Sequence, residues 1–596
     1  MKKFTLLILM LPMLVLGLAA CGNDADIDTD EAYEYDADIV LDTDEAYEYV
    51  PDDIRVQNLY RLAKVWGFVK YTHNSFILGQ LDWDAELLNL LPLVYDAEDV
   101  NAVLYDWFVG LGNDMYDQWA ALISARDGTV HQITWRPMTD LSWINYEELG
   151  PLAAHLLRFN GTIPMERASA PVFFHIAGAP PDFSNQSLHE HMDFSDTGYR
   201  LLGLFRLWNA MKYYFPHLDV LDVEWNDLLF EFIPKMLEGT DRLSYELTLA
   251  AMAHHLHDAH VVFFGATFFA DKFGRYLAPA QLIAAEGRLV IYEAPGNDNP
   301  LTRGDIILGV NGRDIDEITA EMRSFSSYPN EEKALAYLAG RQFGGIPAGM
   351  DIPEFIPLVL RSHVSNIEID VLRDSTEITF SVNGATTWPG FSPPATQSHA
   401  LLDNNIGLIN PSISGDVRSM MESFADTDGI IIDLRQRPIG NFMLEMRQYL
   451  MEEPLPFAYL SRPSQTHPGS RMDFPPMNQY LPQSPYAFVY DRPVVLLMSE
   501  QTFSHPEWVI MAFRTAPNVT VMGPYSMGSN GNVAVLPLPG GIIMNFTSLG
   551  VYTPEGGQTH RIGLAPDIRV DRTIQGITEG RDELIEAAVL YIVERQ

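Results

Sequence analysis

The chain has a single cysteine in 596 residues, Cys21. A disulfide within the chain needs two thiols and a thiolate metal cage needs several, so both are excluded. Basic residues are scarce: 38 Lys and Arg stand against 79 Asp and Glu, a formal net charge of −41. Binding to nucleic-acid phosphates needs a basic surface, so nucleic acid is not expected as a partner. Beyond the first twenty residues no run of 18 apolar residues occurs, and no membrane-spanning helix is expected there. What is present is 47% hydrophobic residues, enough to bury several sizeable cores.

The first residues read as an export signal. Lys2 and Lys3 precede an apolar stretch from Phe4 to Leu18, followed by Leu18-Ala19-Ala20-Cys21. Small residues ending in cysteine at a cleavage position resemble a lipobox. The expectation is a lipoprotein signal peptide over 1–20, lipidation of Cys21, and a membrane-anchored protein on the extracytoplasmic face. From Cys21 to Asp53 there are fourteen acidic residues and no basic one, and DTDEAYEY occurs at 28–35 and again at 42–49. Such a run repels itself and cannot bury a core, so 21–53 reads as a disordered tether. It lacks the glycine and terminal glutamate of a calcium loop.

The next 220 residues contain a duplication. Leu62, Trp66, Lys70, Tyr71 and Trp83 recur as Leu204, Trp208, Lys212, Tyr213 and Trp225, each shifted by 142. Apolar residues at helical spacing predict a long helix, a turn and a Trp-containing helix in each copy, with the Trp-Lys-Tyr face packed in the core. The copies are assigned to 54–195 and 196–272. Near the end of copy two stands Leu256-His257-Asp258-Ala259-His260, where copy one has Met115-Tyr116-Asp117-Gln118-Trp119. The histidines of 253–260 lack the H-E-x-x-H pattern of a zinc hydrolase, so no metal is expected. From 273 to 390 the pattern changes to short strands. Arg303-Gly304-Asp305-Ile306-Ile307-Leu308-Gly309-Val310-Asn311-Gly312 reads as turn, strand and Asn-Gly turn. It resembles the core of a PDZ domain, a module that captures peptides by strand addition.

After 399, apolar runs at 406–411, 430–435, 494–498 and 519–523 alternate with helical stretches, which implies a largely parallel sheet. Here five segments, in order, resemble the C-terminal processing and tricorn core family of serine peptidases. They are LHDAH (256–260), GIIIDLRQRPIGN (429–441), TFSHPEW (502–508), VMGPYSMGSNGN (521–532) and HRIGLAPDI (560–568). The resemblance also takes in 198–217, as in a bacterial branch of the family. It implies an α/β, crotonase/ClpP-like peptidase core over 399–596 behind a helical N-terminal region and a small PDZ-like β-rich module. It also implies a polypeptide substrate and no cofactor.

The family's nucleophile matches Ser504. From the residues alone, Ser504-His505-Pro506-Glu507 also reads as a helix capping box. In the processing branch a lysine lies 25 residues after the serine; here Ser529 stands there. In the tricorn-like branch the base is a histidine, preceded by a serine and oriented by a glutamate. The matching positions here are His260, Ala259 and His560. The glycine turn that supplies oxyanion N–H groups matches Gly440, with Ile439 in place of the first glycine. Two readings follow: a surface serine endopeptidase using Ser504 and His260, or an inactive peptidase fold serving as a peptide-binding or scaffold module.

Overall fold

The duplication in the sequence is a duplication of helix pairs. In the computed structural model, helix α1 (Ile54–Thr72) packs on α2 (Trp83–Tyr95), and α3 (Thr197–Tyr214) packs on α4 (Trp225–Glu238). The indole N–H of Trp66 donates to the Trp83 carbonyl at 2.8 Å, and that of Trp208 to the Trp225 carbonyl at 2.8 Å. Lys70 lies 4.6 Å over the Trp66 ring and Lys212 4.6 Å over the Trp208 ring. Both second helices also carry an internal proline, Pro92 and Pro234, again 142 apart. The repeated residues are thus the fasteners of each pair, buried as expected of a packing face.

The copies lock together through the same face. Tyr71 meets Tyr213 edge-on at 5.5 Å, and the Asn209 amide donates to the Ala63 carbonyl across the junction. Gly67, the counterpart of Asn209 in copy one, leaves the space that this amide fills. Because α1 and α3 are covered on nearly every side, most of their residues are buried. Asp241 caps α5 (Arg242–His254) in a capping box with Ser244, and α5 delivers the histidine-rich segment that follows.

The next element is the short strand β1 (Val262–Phe264), followed by a β-rich module. Its strands are β2 (Gln281–Ala285), β3 (Arg288–Glu293), β4 (Ile306–Val310), β5 (Asn366–Arg373) and β6 (Thr376–Asn383). They form an antiparallel sheet in the order β6-β5-β4-β3-β2, with α6 (Ile315–Arg323) against it. The Asn311-Gly312 turn has positive φ at both residues, as the dipeptide predicts.

The C-terminal sheet runs β7 (His399–Leu402), β8 (Ile406–Ile409), β9 (Gly429–Asp433), β10 (Val494–Leu497) and β11 (Val519–Met522) in that order. β8 to β11 are parallel, and β7 is an antiparallel edge. Their Ile, Val and Leu side chains alternate between two apolar layers. Ile430, Ile432, Val494 and Leu496 meet helix α7 (His505–Phe513) on one face, and Ile431, Val495 and Leu497 meet α8 (Glu583–Val593) on the other. A separate antiparallel sheet, β12 (Val533–Leu538), β13 (Ile542–Thr547) and β1, joins this core to the helical half. The expected α/β core behind a helical region and a β-rich module is the architecture found.

The structure describes residues 53–112, 135–137, 140–159, 167–175, 179–296, 298–340, 357–386, 397–464, 467–474, 477–478 and 488–595. Cys21, the rest of the signal and the tether up to residue 52, and the copy-one segment Met115 to Trp119 lie outside them. Among the described residues no helix is long and apolar enough to cross a membrane.

Candidate active site

Ser504 sits between β10 and α7, at φ 61° and ψ −123°. A non-glycine residue held in this region is strained by about 1–3 kcal/mol, and such strand-to-helix turns present a serine hydroxyl at the head of a helix. The capping reading is half right. The Glu507 carboxylate accepts the Ser504 N–H at 3.0 Å, so the reverse arm of the box is made. That carboxylate also accepts the Ser526 hydroxyl at 2.5 Å and the Gly528 N–H at 2.9 Å. Burial pushes the Glu507 carboxyl up against the pull of these three bonds. Glu507 therefore ties the 526–528 turn to the serine.

Ser529 does not stand in for a lysine; it is a brace. Its carbonyl accepts the Ser504 N–H at 2.9 Å, and its hydroxyl accepts the Ala259 N–H at 2.9 Å. One buried residue thereby binds the backbone of Ser504 on one side and the backbone next to His260 on the other. The His260 ring lies 5.3 Å from the ring of Phe503, the neighbour of Ser504. The structure brings Ser504, Ser529 and His260 into one place from segments more than 240 residues apart.

His260 is 7% exposed. Its Nδ1 lies 2.8 Å from the Thr547 hydroxyl and 3.4 Å from Asp258 Oδ1. Its Nε2 is buried and makes no hydrogen bond, so a bond to the Ser504 hydroxyl is not formed here. Catalytic hydrogen bonds of unliganded enzymes are often long and tighten only with substrate. Asp258, fully buried, accepts the Thr547 hydroxyl at 2.8 Å, the Thr547 N–H at 2.6 Å and the His260 N–H at 3.0 Å. Burial alone would raise its carboxyl; the hydrogen bond and charge of His260, with the charge of His560, hold it well below the usual carboxylate range.

His560 is close enough to Asp258 for the two to interact electrostatically, but it makes no hydrogen bond to the ring nitrogens of His260. It stacks flat on His217, centroids 4.1 Å apart and planes 1° apart, and neither nitrogen of either ring has a hydrogen-bond partner. Burial lowers His560 to about 4 and holds His217 well below the usual imidazole range as well. The lone pairs of parallel stacked rings lie in separate parallel planes, so the pair cannot converge on one cation. Two further histidines of the 253–260 run turn to carbonyls instead: His254 Nδ1 to Ser326 at 2.7 Å and His257 Nδ1 to Tyr328 at 3.1 Å. Gly440 is exposed at φ 60°, and a Cβ there would meet nothing, so conformation alone requires the glycine. Its turn neighbours the start of α7, where Arg437 and the Pro438 carbonyl act on His505.

Thr547 and His217 were not singled out by the sequence. Thr547 ends an ordinary β-strand, and no spacing marks it. His217 stands in the segment that carries the family resemblance, but its contact with His560 spans 343 residues.

Residues 405–570 match the model of peptidase family S41. No curated protein matches the chain in sequence. Mature CPAF complexed with lactacystin is similar in structure, with a TM-score of 0.52 and 13% identity over 67% of this chain and 99% of that one. The photosystem II D1 C-terminal processing protease is a more distant likeness, at a TM-score of 0.37 and 14% identity over 65% of this chain and 99% of that one. A protein of Parabacteroides merdae ATCC 43184 gives 0.40 and 18% over 66% and 96%.

Proposed function

We propose, from a core that belongs to peptidase family S41 and so to the serine-type peptidases, that this chain is an endopeptidase of unfolded or partly unfolded polypeptides held at the extracytoplasmic face by a lipid on Cys21. Ser504 attacks the scissile carbonyl, His260 takes its proton at Nε2, and an acyl-enzyme forms on the serine oxygen. The proton then passes from Nε2 to the leaving amine, and water releases the acyl group by the same route. N–H groups at the head of α7 and at the Gly440 turn are the donors for the oxyanion. The PDZ-like module, close to the histidine-bearing segment through Ser326 and Tyr328, receives the polypeptide.

The observation that carries this reading is Ser529, whose two hydrogen bonds hold the backbones beside His260 and at Ser504 to one residue. The alternative, an inactive peptidase fold acting as a peptide-binding or scaffold module, draws on the unmade hydrogen bond at His260 Nε2 and on a histidine at position 560.

The test is cleavage of an unstructured protein by the full chain in detergent, beside its Ser504→Ala variant. Cleavage that disappears in the variant is expected. No cleavage by either across pH 6 to 9 would favour the scaffold, and equal cleavage by both would remove Ser504 from its role. A Cys21→Ser chain is expected to leave the membrane fraction for the soluble one; retention there would refute the lipid anchor.

A further inference from the structure

The resemblance implies a hydroxyl and a carboxylate behind the base, at positions 259 and 560. This chain has alanine and histidine there. We infer that Thr547 and Asp258 are the positioning pair of His260, replacing the hydroxyl and carboxylate missing at 259 and 560. This rests on the reading of Ser504 and His260 as nucleophile and base.

The hydrogen-bond inventory fixes the direction of the relay. An ionised carboxylate only accepts, and a threonine hydroxyl has one proton to give. Asp258 Oδ1 lies 2.8 Å from Thr547 Oγ1, so that proton goes to the carboxylate. The Thr547 oxygen then faces His260 Nδ1, 2.8 Å away, with a lone pair. Nδ1 must therefore donate, and Nε2 is left with the free lone pair that a general base needs. The direct path is inferior, since Nδ1 stands 3.4 Å from Asp258 Oδ1. Asp258 is anchored for this task by two backbone N–H groups, those of Thr547 and His260.

The pair comes from two elements that the fold joins. Asp258 lies beyond the end of α5, and Thr547 ends β13, which pairs with β1 just after His260: Val262 opposes Asn545. One antiparallel register thus sets the hydroxyl against the imidazole. His560 cannot serve in its place, being stacked on His217 with both nitrogens unpaired. In the reaction the Ser504 proton moves to Nε2 and later to the leaving amine. The Nδ1 proton stays in place, and no proton reaches Asp258, whose charge steadies the imidazolium through the Thr547 hydroxyl.

Two measurements test the assignment. In kinetics, Thr547→Val, which keeps shape and backbone N–H, is expected to lower kcat by roughly 100-fold with KM nearly unchanged, the size of one acid–base contribution. Thr547→Ser, which restores the hydroxyl, is expected to recover most of it. An unchanged kcat in Thr547→Val, or an equal loss in Thr547→Ser, would overturn the relay. The second readout needs no activity: nitrogen-15 NMR of histidine-labelled full chain, with His260 identified by His260→Gln. Neutral His260 is expected as the Nδ1–H tautomer in the parent, with the Nε2–H form appearing in Thr547→Val. An Nε2–H parent would overturn the relay even if Ser504 proved essential. An Nδ1–H parent with no Ser504-dependent cleavage would keep the relay's geometry and sink the peptidase reading alone.

Discussion

A serine at positive φ is a costly choice for a helix cap. Asp, Ser or Asn caps an α-helix from the extended region without strain, as Asp196 and Asp241 do here. Ser504 is instead held at φ 61° by Glu507 and Ser529, which both bind its N–H. Strain maintained at one hydroxyl is expected of a functional position. Ser504→Gly should therefore melt higher than Ser504→Ala, by a few degrees for about 1 kcal/mol relieved, although both lack the hydroxyl. Thermal unfolding of the two variants side by side checks this. An equal or lower melting temperature for Ser504→Gly would mean that the turn is not strained.

At the scale of elements, the duplicated helices show how a repeat becomes an interface. Gly67 and Asn209 occupy equivalent positions in α1 and α3, and they differ because the helices cross there. A Cβ on Gly67 would fall 1.8 Å from the Asn209 amide oxygen. Gly67→Ala is expected to destabilise by roughly 1–3 kcal/mol through overpacking. Asn209→Ala alone loses the bonds to the Ala63 and Phe205 carbonyls and is also destabilising. The double variant should be more stable than the sum of the two losses, because the clash disappears with the amide. Simple additivity in a double-mutant cycle on melting temperature would contradict the crossing described.

At the scale of the molecule, burial of neutral imidazoles sets the response to acid. His73, His255, His505 and His560 are each lowered by burial to about 4, and burial lowers His217 in the same direction. The unfolded chain binds protons as pH falls below about 6.5 that the folded chain refuses until about 4. Stability is complete above this window and is lost on descending through it, by roughly 3 kcal/mol for a group shifted as far as His560. Asp258 acts in the same sense but at lower pH: its depressed carboxyl stabilises the fold above its unfolded value, and that contribution is lost only in stronger acid. The melting temperature should fall steeply between pH 6.5 and 4.5, and less steeply in His560→Phe, which keeps a ring against His217. An identical slope in both proteins would mean that folding does not lower His560.

The sequence by itself determined the duplication, the β-rich module and the parallel core, because each is written in local periodicity or in spacing along the chain. Trp66 and Trp208 announced their helix pairs through a constant shift of 142, and the runs at 430–435 and 494–498 are typical of buried strands. It pointed to Ser504 and His260 only through the family resemblance of short motifs, since the residues around Ser504 alone also read as a helix cap. It did not decide what orients His260, since Ala259 and His560 leave the family's positions without a hydroxyl or a carboxylate. Only the tertiary structure supplies that answer. Thr547 lies 287 residues from His260 and 289 from Asp258, and a side chain brought in by strand pairing carries no mark in the local sequence. Ser529 is the same case: the family resemblance placed it where a lysine would stand, whereas its two hydrogen bonds make it a clamp between segments that only folding brings together.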